Sequence, residues 1–427
     1  MSVIGCGYLG ASHAVGMAQL GHDVIALDID KDKIAALSAC ELPFFEPGLG
    51  ELLRKSVESG RLRFTTSYDE IAGSDVHFVC VGTPQLAGSF NADLRWVESA
   101  FVELAQRVTE PAIIVGRSTV PVGTARRMAD VVRGHGSRAE VAWNPEFLRE
   151  GRAVEDTLQP ARLVFGVESP QAEQLLRAVY RPIIEDGSPV VVADYATAEL
   201  VKVSANAFLA TKISFINAIA QICEATGADV LRIAEALGYD NRIGRDFLGP
   251  GLGFGGGCLP KDIRALYACA ADLRLADVAT FIRQIDVINA SRRDRALSLG
   301  RELLGGSYAE KRVCVLGAAF KPNTDDVRDS PALAVAVAAH QEGARVVVHD
   351  PVATESARGV HPEIEYADRI VMAARDADLI MLLTDWTDFA DIDPVQLSGV
   401  VRCRNMLDGR NVLTPERWRS AGWTYRA

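Results

Sequence analysis

The stretch 249–262, GPGLGFGGGCLPKD, gathers the residues best suited to chemistry. A single cysteine, Cys258, closes ten positions that hold six glycines, and Leu259, Pro260, Lys261 and Asp262 follow it. Glycine has no Cβ and tolerates positive φ, so backbone N–H groups there can approach a polar ligand closely. Proline just beyond is the residue type that opens a helix. The thiol then lies near a helix N-terminus, where partial positive charge favours thiolate. Asp262, four residues on, shares that side. A glycine turn around an inert buried cysteine is the plainer alternative, and the neighbouring Lys261 and Asp262 weigh against it.

A second set stands at the start of the chain. Val3-Ile4 runs into Gly5-Cys6-Gly7-Tyr8-Leu9-Gly10, a helical stretch follows to about residue 20, and an apolar run ends at Asp28. Strand, glycine turn, helix, strand and acid in that order are the dinucleotide fingerprint. Gly5 permits the turn, Gly7 lets backbone approach a pyrophosphate, and Gly10 lets the helix pack on the strand. Asp28 is placed to accept hydrogen bonds from ribose hydroxyls, and its charge repels a 2′-phosphate, which selects NAD over NADP. Only four residues precede Gly5, so the first strand is short. That weakens the sheet more than the phosphate site.

Thr83, Ser118, Thr119, Glu146 and Glu150 fall at or just past the ends of further strands, where open parallel sheets bind ligands. Each alone reads as a turn or cap; together they line one crevice. Lys202 and Asn206 are four apart in a helical stretch and share a face, an arrangement that is more often solvated surface than site.

The elements that position these groups alternate strand and helix. A chain of 427 residues exceeds one hydrophobic core, and its 48% hydrophobic and 24% charged residues are those of a soluble globular protein. The predicted architecture is α/β: two Rossmann-like doubly wound parallel-sheet domains joined by a long central helix and a helical middle domain. The expected domains are 1–192 (NAD-binding), 193–304 (helical, dimerising, carrying Cys258) and 305–427 (a second Rossmann-like domain, to which the resemblance described below gives the nucleotide sugar). The proline-free pattern over 196–226 forms a spine and a subunit contact. The third region repeats the β-α-β rhythm without the glycine fingerprint, so it is a poor NAD site; Lys321 with Arg328 points to another phosphate-bearing ligand there. No apolar run approaches the roughly 18 residues of a membrane span, and no signal-peptide pattern opens the chain, so a cytoplasmic protein is expected. The eight cysteines show no paired or histidine-linked spacing, which predicts neither metal site nor disulfide framework. A net charge of −11 argues against nucleic acid as a partner.

In this order, GCGYLG, FFEPGL at 44–49, VGTPQ at 81–85, STVPVGT from Ser118, NPEFLREG from Asn144, the Lys202/Asn206 helix, NRIG from Asn241, GFGGGCLPKD and AFKPNTDDVRDSP from Ala319 resemble the UDP-glucose and GDP-mannose dehydrogenase family of nucleotide-sugar 6-dehydrogenases, most closely its UDP-glucose members. Members acting on 2-acetamido sugars tend to carry histidine just before the cysteine; Gly257 here points to an unsubstituted hexose. The resemblance implies Cys258 as nucleophile, Lys202 and Asn206 at the oxyanion, and Asp262 and Thr119 with the hydrolytic water. It sets Glu146 and Glu150 beside substrate and cofactor. Phe147, Leu148 and Arg149 match the backbone that holds the nucleotide sugar, Arg242 the arginine that reaches a neighbouring subunit's site, Lys321 and Arg410 nucleotide-sugar contacts, and Arg328 an NAD contact. Tyr8, Leu9, Lys33, Pro84 and Lys261 join the expected cofactor residues, and Phe247, Leu248, Phe254, Gly255 and Phe320 the expected substrate residues. A homodimer or larger homo-oligomer is implied.

Such an enzyme removes four electrons from a primary alcohol, whereas one NAD takes two, so it oxidises twice and releases two NADH. Thiolate addition to the aldehyde gives a thiohemiacetal that surrenders a second hydride and leaves a thioester for water to cleave. Asp262 or Glu146 is the base, the residues alone not distinguishing which acts at which step. UDP-glucose to UDP-glucuronate is the implied reaction, with GDP-mannose or another nucleotide hexose as the alternative substrate. A one-step hydroxy-acid dehydrogenase accounts for Lys202 but not for Cys258, Asp262 or the second α/β domain. A non-catalytic nucleotide-binding protein accounts for none of the four polar groups.

Overall fold

A computed structural model describes residues 1–427. The chain divides into two compact units, 1–205 and 206–427.

The first unit is built on an eight-stranded sheet in the order β3-β2-β1-β4-β5-β6-β7-β8. Its strands are β1 (Ser2–Ile4), β2 (Val24–Leu27), β3 (Leu62–Thr65), β4 (Val76–Val79), β5 (Ile113–Gly116), β6 (Glu140–Trp143), β7 (Leu163–Gly166) and β8 (Val190–Ala193). The inner strands β1, β4, β5 and β7 are buried along their whole length, as expected where both faces of a parallel sheet are covered. β1 has three residues, yet it pairs with both β2 and β4 at the centre of the sheet. The first six strands follow the doubly wound order, which switches direction between β1 and β4.

The sheet is not parallel throughout. β6 and β7 pair antiparallel through Trp143 and Gly166, so β7 and β8 run against the rest. The chain leaving β6 passes through 144–152 into the six-residue helix Ala153–Leu158, which packs on the helix Tyr8–Gln19; Thr157 fills the space beside Gly16.

The second unit repeats the doubly wound order in an all-parallel six-stranded sheet, β11-β10-β9-β12-β13-β14. The strands are β9 (Arg312–Leu316), β10 (Arg345–His349), β11 (Glu365–Tyr366), β12 (Leu379–Leu382), β13 (Asn405–Asp408) and β14 (Thr424–Arg426). β11, β13 and β14 are too short or too interrupted to be read as strands from periodicity. Ahead of this sheet come the helices Val230–Gly238, Leu259–Asp272 and Ala276–Leu303. A small apolar cluster of Ala210, Phe254, Ile263, Ile282 and Ile285 ties the last two to the long helix.

That long helix, Tyr195–Thr226, has 32 residues. By length and composition it is apolar enough to cross a membrane, a property that the absence of one uninterrupted apolar run in the sequence did not disclose. Its buried face carries Glu199, Lys202, Asn206 and Asn217, each with a polar partner in its own unit. Buried ionisable groups with partners of this kind belong to a core helix.

Candidate active site

In the first unit the expected cofactor residues lie at the carboxyl ends of the strands beside the switch point. Gly5 follows β1 with φ +90°. Gly7 precedes the helix Tyr8–Gln19 with φ −71°, and a Cβ added to it would meet nothing within 4 Å. A Cβ on Gly10 would stand 1.7 Å from the Gly5 carbonyl oxygen. One glycine thus keeps space open on the ligand side, and the other closes helix against strand. Asp28 is buried and accepts the Cys6 N–H at 2.8 Å, the Asp30 N–H at 3.0 Å and the Lys33 ammonium at 3.0 Å. It fixes the glycine turn and retains acceptor sites for a diol. Leu9 faces the core, while Tyr8 donates to Glu46. An open backbone cradle at a helix N-terminus with an acid at the end of β2 fits NAD.

Thr83 donates to the Thr119 carbonyl at 2.8 Å, and Ser118 donates to the Val81 carbonyl at 2.6 Å. These hydroxyls lock the loops after β4 and β5 together. The Pro84 carbonyl accepts from Asp93 N–H. After β6, the Glu146 carboxylate meets buried Lys202 at 3.0 Å and takes the Leu148 N–H at 2.6 Å. Phe147 lies 3.6 Å beneath the Arg162 guanidinium and 5.6 Å from the Lys202 ammonium. Arg149 forms a fork to Asp156, and Glu150 is half-buried in the same turn.

Sequence reasoning gave no role to two buried carboxylates here. Glu46 accepts the N–H groups of Gly151 and Ala153, both at 2.7 Å. Glu199, one turn before Lys202, takes the N–H groups of Gly123 and Ala125 at 2.7 and 2.6 Å; burial pushes its pKa up against the pull of those donors. The FFEPGL stretch was the available signal for Glu46. Glu199 has no local signal, because its partners are more than 70 residues away.

In the second unit Cys258 is exposed and stands immediately before the helix Leu259–Asp272, with Pro260 in its first turn. The Asp262 N–H closes that turn on the Cys258 carbonyl at 3.0 Å. The Asp262 carboxylate is buried, bound at 2.6 Å by the Asn206 amide on one oxygen and at 2.6 Å by the Lys261 ammonium on the other. Asn206 keeps a second amide hydrogen. Lys261, expected beside the cofactor, pairs with Asp262 and keeps further donors on its ammonium.

The glycines before Cys258 serve close packing. A Cβ on Gly255, Gly256 or Gly257 would run into the Asp329 carbonyl, the Phe320 ring or the Arg328 guanidinium, at 2.3, 2.7 and 2.4 Å. Arg410, after β13, donates to the carbonyls of Gly253 and Leu383, both at 2.8 Å, and its burial lowers its pKa. Arg410 therefore clasps the glycine segment to the sheet's carboxyl edge. Lys321 lies 5.5 Å over the Phe320 ring. Phe254 and Leu248 are buried. Phe247 holds a left-handed backbone at φ +64°, a conformation costing a non-glycine residue roughly 1–2 kcal/mol. Arg242 forks onto Asp240 at the surface, its side chain 89% exposed, and Arg328 forks onto Asp326. No cluster of three metal-ligating side chains is present.

Fold and site define an NAD-dependent oxidoreductase with a second nucleotide-binding α/β domain. Family models agree: the NAD binding domain of the UDP-glucose/GDP-mannose dehydrogenase family matches 1–184, its central domain 196–291 and its UDP binding domain 314–415. The chain belongs to the UDP-glucose/GDP-mannose dehydrogenase family. It is 40% identical to a UDP-glucose 6-dehydrogenase of Rhizobium meliloti (strain 1021), over all of this chain and 98% of that one. It is 38% identical to TuaD, a UDP-glucose 6-dehydrogenase of Bacillus subtilis (strain 168), over all of this chain and 92% of that one. A UDP-glucose dehydrogenase structure from Pyrobaculum islandicum superposes with a TM-score of 0.92 at 38% identity, covering all of this chain and 96% of that one.

Proposed function

We propose that this protein oxidises UDP-glucose to UDP-glucuronate in two successive NAD-dependent steps on one cysteine. The observation that carries the reading is Cys258, exposed at the mouth of a helix whose first turn carries the buried Asp262, bonded to Asn206 of the long helix and to Lys261. The UDP-glucose 6-dehydrogenases at about 40% identity support the substrate.

NAD, when bound, supplies a two-electron hydride acceptor. Asp262 or Glu146 takes the alcohol proton while the carbinol C–H electron pair leaves as the first hydride, which turns the alcohol into the aldehyde. The Cys258 thiolate then adds to the aldehyde carbon, and the oxygen takes up charge that the Lys202 ammonium and the free hydrogen of the Asn206 amide offset. Losing one such donor commonly costs about 10²- to 10³-fold in rate. The C–H electron pair leaves as the second hydride, the thioester carbon accepts water, and the C–S bond breaks to release acid and thiolate. Phe147, Leu148 and Arg149 hold the nucleotide sugar, and Lys321 holds phosphate.

The eight free cysteines and the charged, membrane-impermeant substrates suit the cytoplasm. The long helix exposes Phe208, Phe215 and Ile222 at seven-residue spacing, an apolar stripe suited to pairing with a second copy. We divide the chain functionally into 1–192, 193–304 and 305–427.

The test is to supply NAD with UDP-glucose, GDP-mannose or UDP-N-acetylglucosamine and count NADH per sugar. Two per UDP-glucose, little turnover of the others, and loss of acid formation in Cys258→Ala with NAD binding intact are expected. One NADH per sugar, or acid from Cys258→Ala, refutes the cysteine route.

A further inference from the structure

We propose that Glu46 is a positioning residue that pins the substrate-holding segment 146–151 to the cofactor-binding turn. It is 5% exposed and lies in FFEPGL. One carboxylate oxygen accepts the Ala153 N–H at 2.7 Å. The other accepts the Gly151 N–H at 2.7 Å and the Tyr8 hydroxyl, and the Gly151 N–H also reaches the Tyr8 oxygen at 3.0 Å. Tyr8 directly follows Gly7, and its ring packs on Phe44 at 4.9 Å.

One side chain thus joins the start of the helix that faces the pyrophosphate to the end of the loop after β6. Lys202 holds the other end of that loop through Glu146. A segment fixed at both ends presents the backbone of Phe147, Leu148 and Arg149 in one conformation. Burial, and then the bond to Glu46, raise the Tyr8 pKa, so its hydroxyl stays a donor. A buried carboxylate is costly, and an apolar side chain of similar size would pack at less cost. Three convergent donors from two separate stretches explain its presence as a device for geometry. The inference rests on the reading of 147–149 as the substrate-holding backbone.

Glu46→Gln keeps the volume, but its amide turns an NH2 group toward a donor. KM for UDP-glucose rises roughly tenfold to a hundredfold, with NAD affinity unchanged and kcat moved less than KM. Hydrogen exchange at the Gly151 and Ala153 amides accelerates in the ligand-free protein. Tyr8→Phe removes one donor and gives a smaller change of the same sign; the double variant is no worse than Glu46→Gln alone. A folded Glu46→Gln with wild-type KM, or one that loses only active fraction at unchanged KM, overturns the proposal. If Glu46→Gln does not fold, wild-type KM and wild-type exchange in Tyr8→Phe overturn it. Exchange needs no substrate: faster exchange in the variant, when the wild type oxidises no UDP-glucose, supports the pin and refutes the substrate assignment.

Discussion

Gly7 and Gly10 stand three residues apart in one turn, and the structure assigns them opposite duties that alanine separates. At Gly7 the backbone (φ −71°, ψ −169°) is one alanine adopts freely, and the new methyl would meet no protein atom within 4 Å. Stability should hold or rise by about 0.4–1 kcal/mol, because the unfolded chain loses freedom. The methyl does occupy the approach of a pyrophosphate, and losing charged hydrogen bonds worth about 1.5–3 kcal/mol weakens NAD binding roughly tenfold to a hundredfold. At Gly10 the methyl would lie 1.7 Å from the Gly5 carbonyl oxygen and 3.2 Å from Cys80 Cβ, so helix and strand must separate. Overpacking of that kind costs about 3 kcal/mol or more, a fall in Tm of roughly 6–12 °C for a unit of this size. Thermal melts without ligand and calorimetric NAD titrations read both. Gly7→Ala binding NAD like the wild type, or Gly10→Ala melting at the wild-type temperature, would defeat the assignment.

His77 in β4 is buried beside Ser2, and burial, then the nearby amino terminus, push its pKa from 6.5 down to about 4. The native protein therefore resists a proton the unfolded chain accepts. This stability is present above pH 6.5 and lost as pH falls toward 4, by about 3 kcal/mol in all. Urea midpoints of His77→Gln should be flatter than wild type across that window; an identical slope would remove His77 as its source. The proposed pairing predicts that the wild type sediments as a dimer and Phe215→Asp as a monomer; a dimer in the variant would exclude the Phe208–Phe215–Ile222 stripe as the contact.

Local order and spacing were enough to read the dinucleotide fingerprint. Turn glycines, helix and terminal acid are neighbours in sequence, and each has a backbone reason for its place. The helix after Cys258 is equally legible: Pro260 opens it, and it runs over Leu259–Asp272. The α/β class follows from the alternating pattern. What the chain could not disclose alone is which distant groups meet. Asn206 and Asp262 are 56 residues apart and share a hydrogen bond, Glu46 reaches Gly151 across 105 residues, and β7 reverses against β6. None of these leaves a periodic trace, because each depends on how the backbone returns, and a carboxylate's partners are decided only when burial removes water as the alternative. The six glycines before Cys258 show the same division. Their composition announced unusual backbone, and the folded chain shows that three of them lie against the Phe320–Arg328–Asp329 loop, where a Cβ has no room.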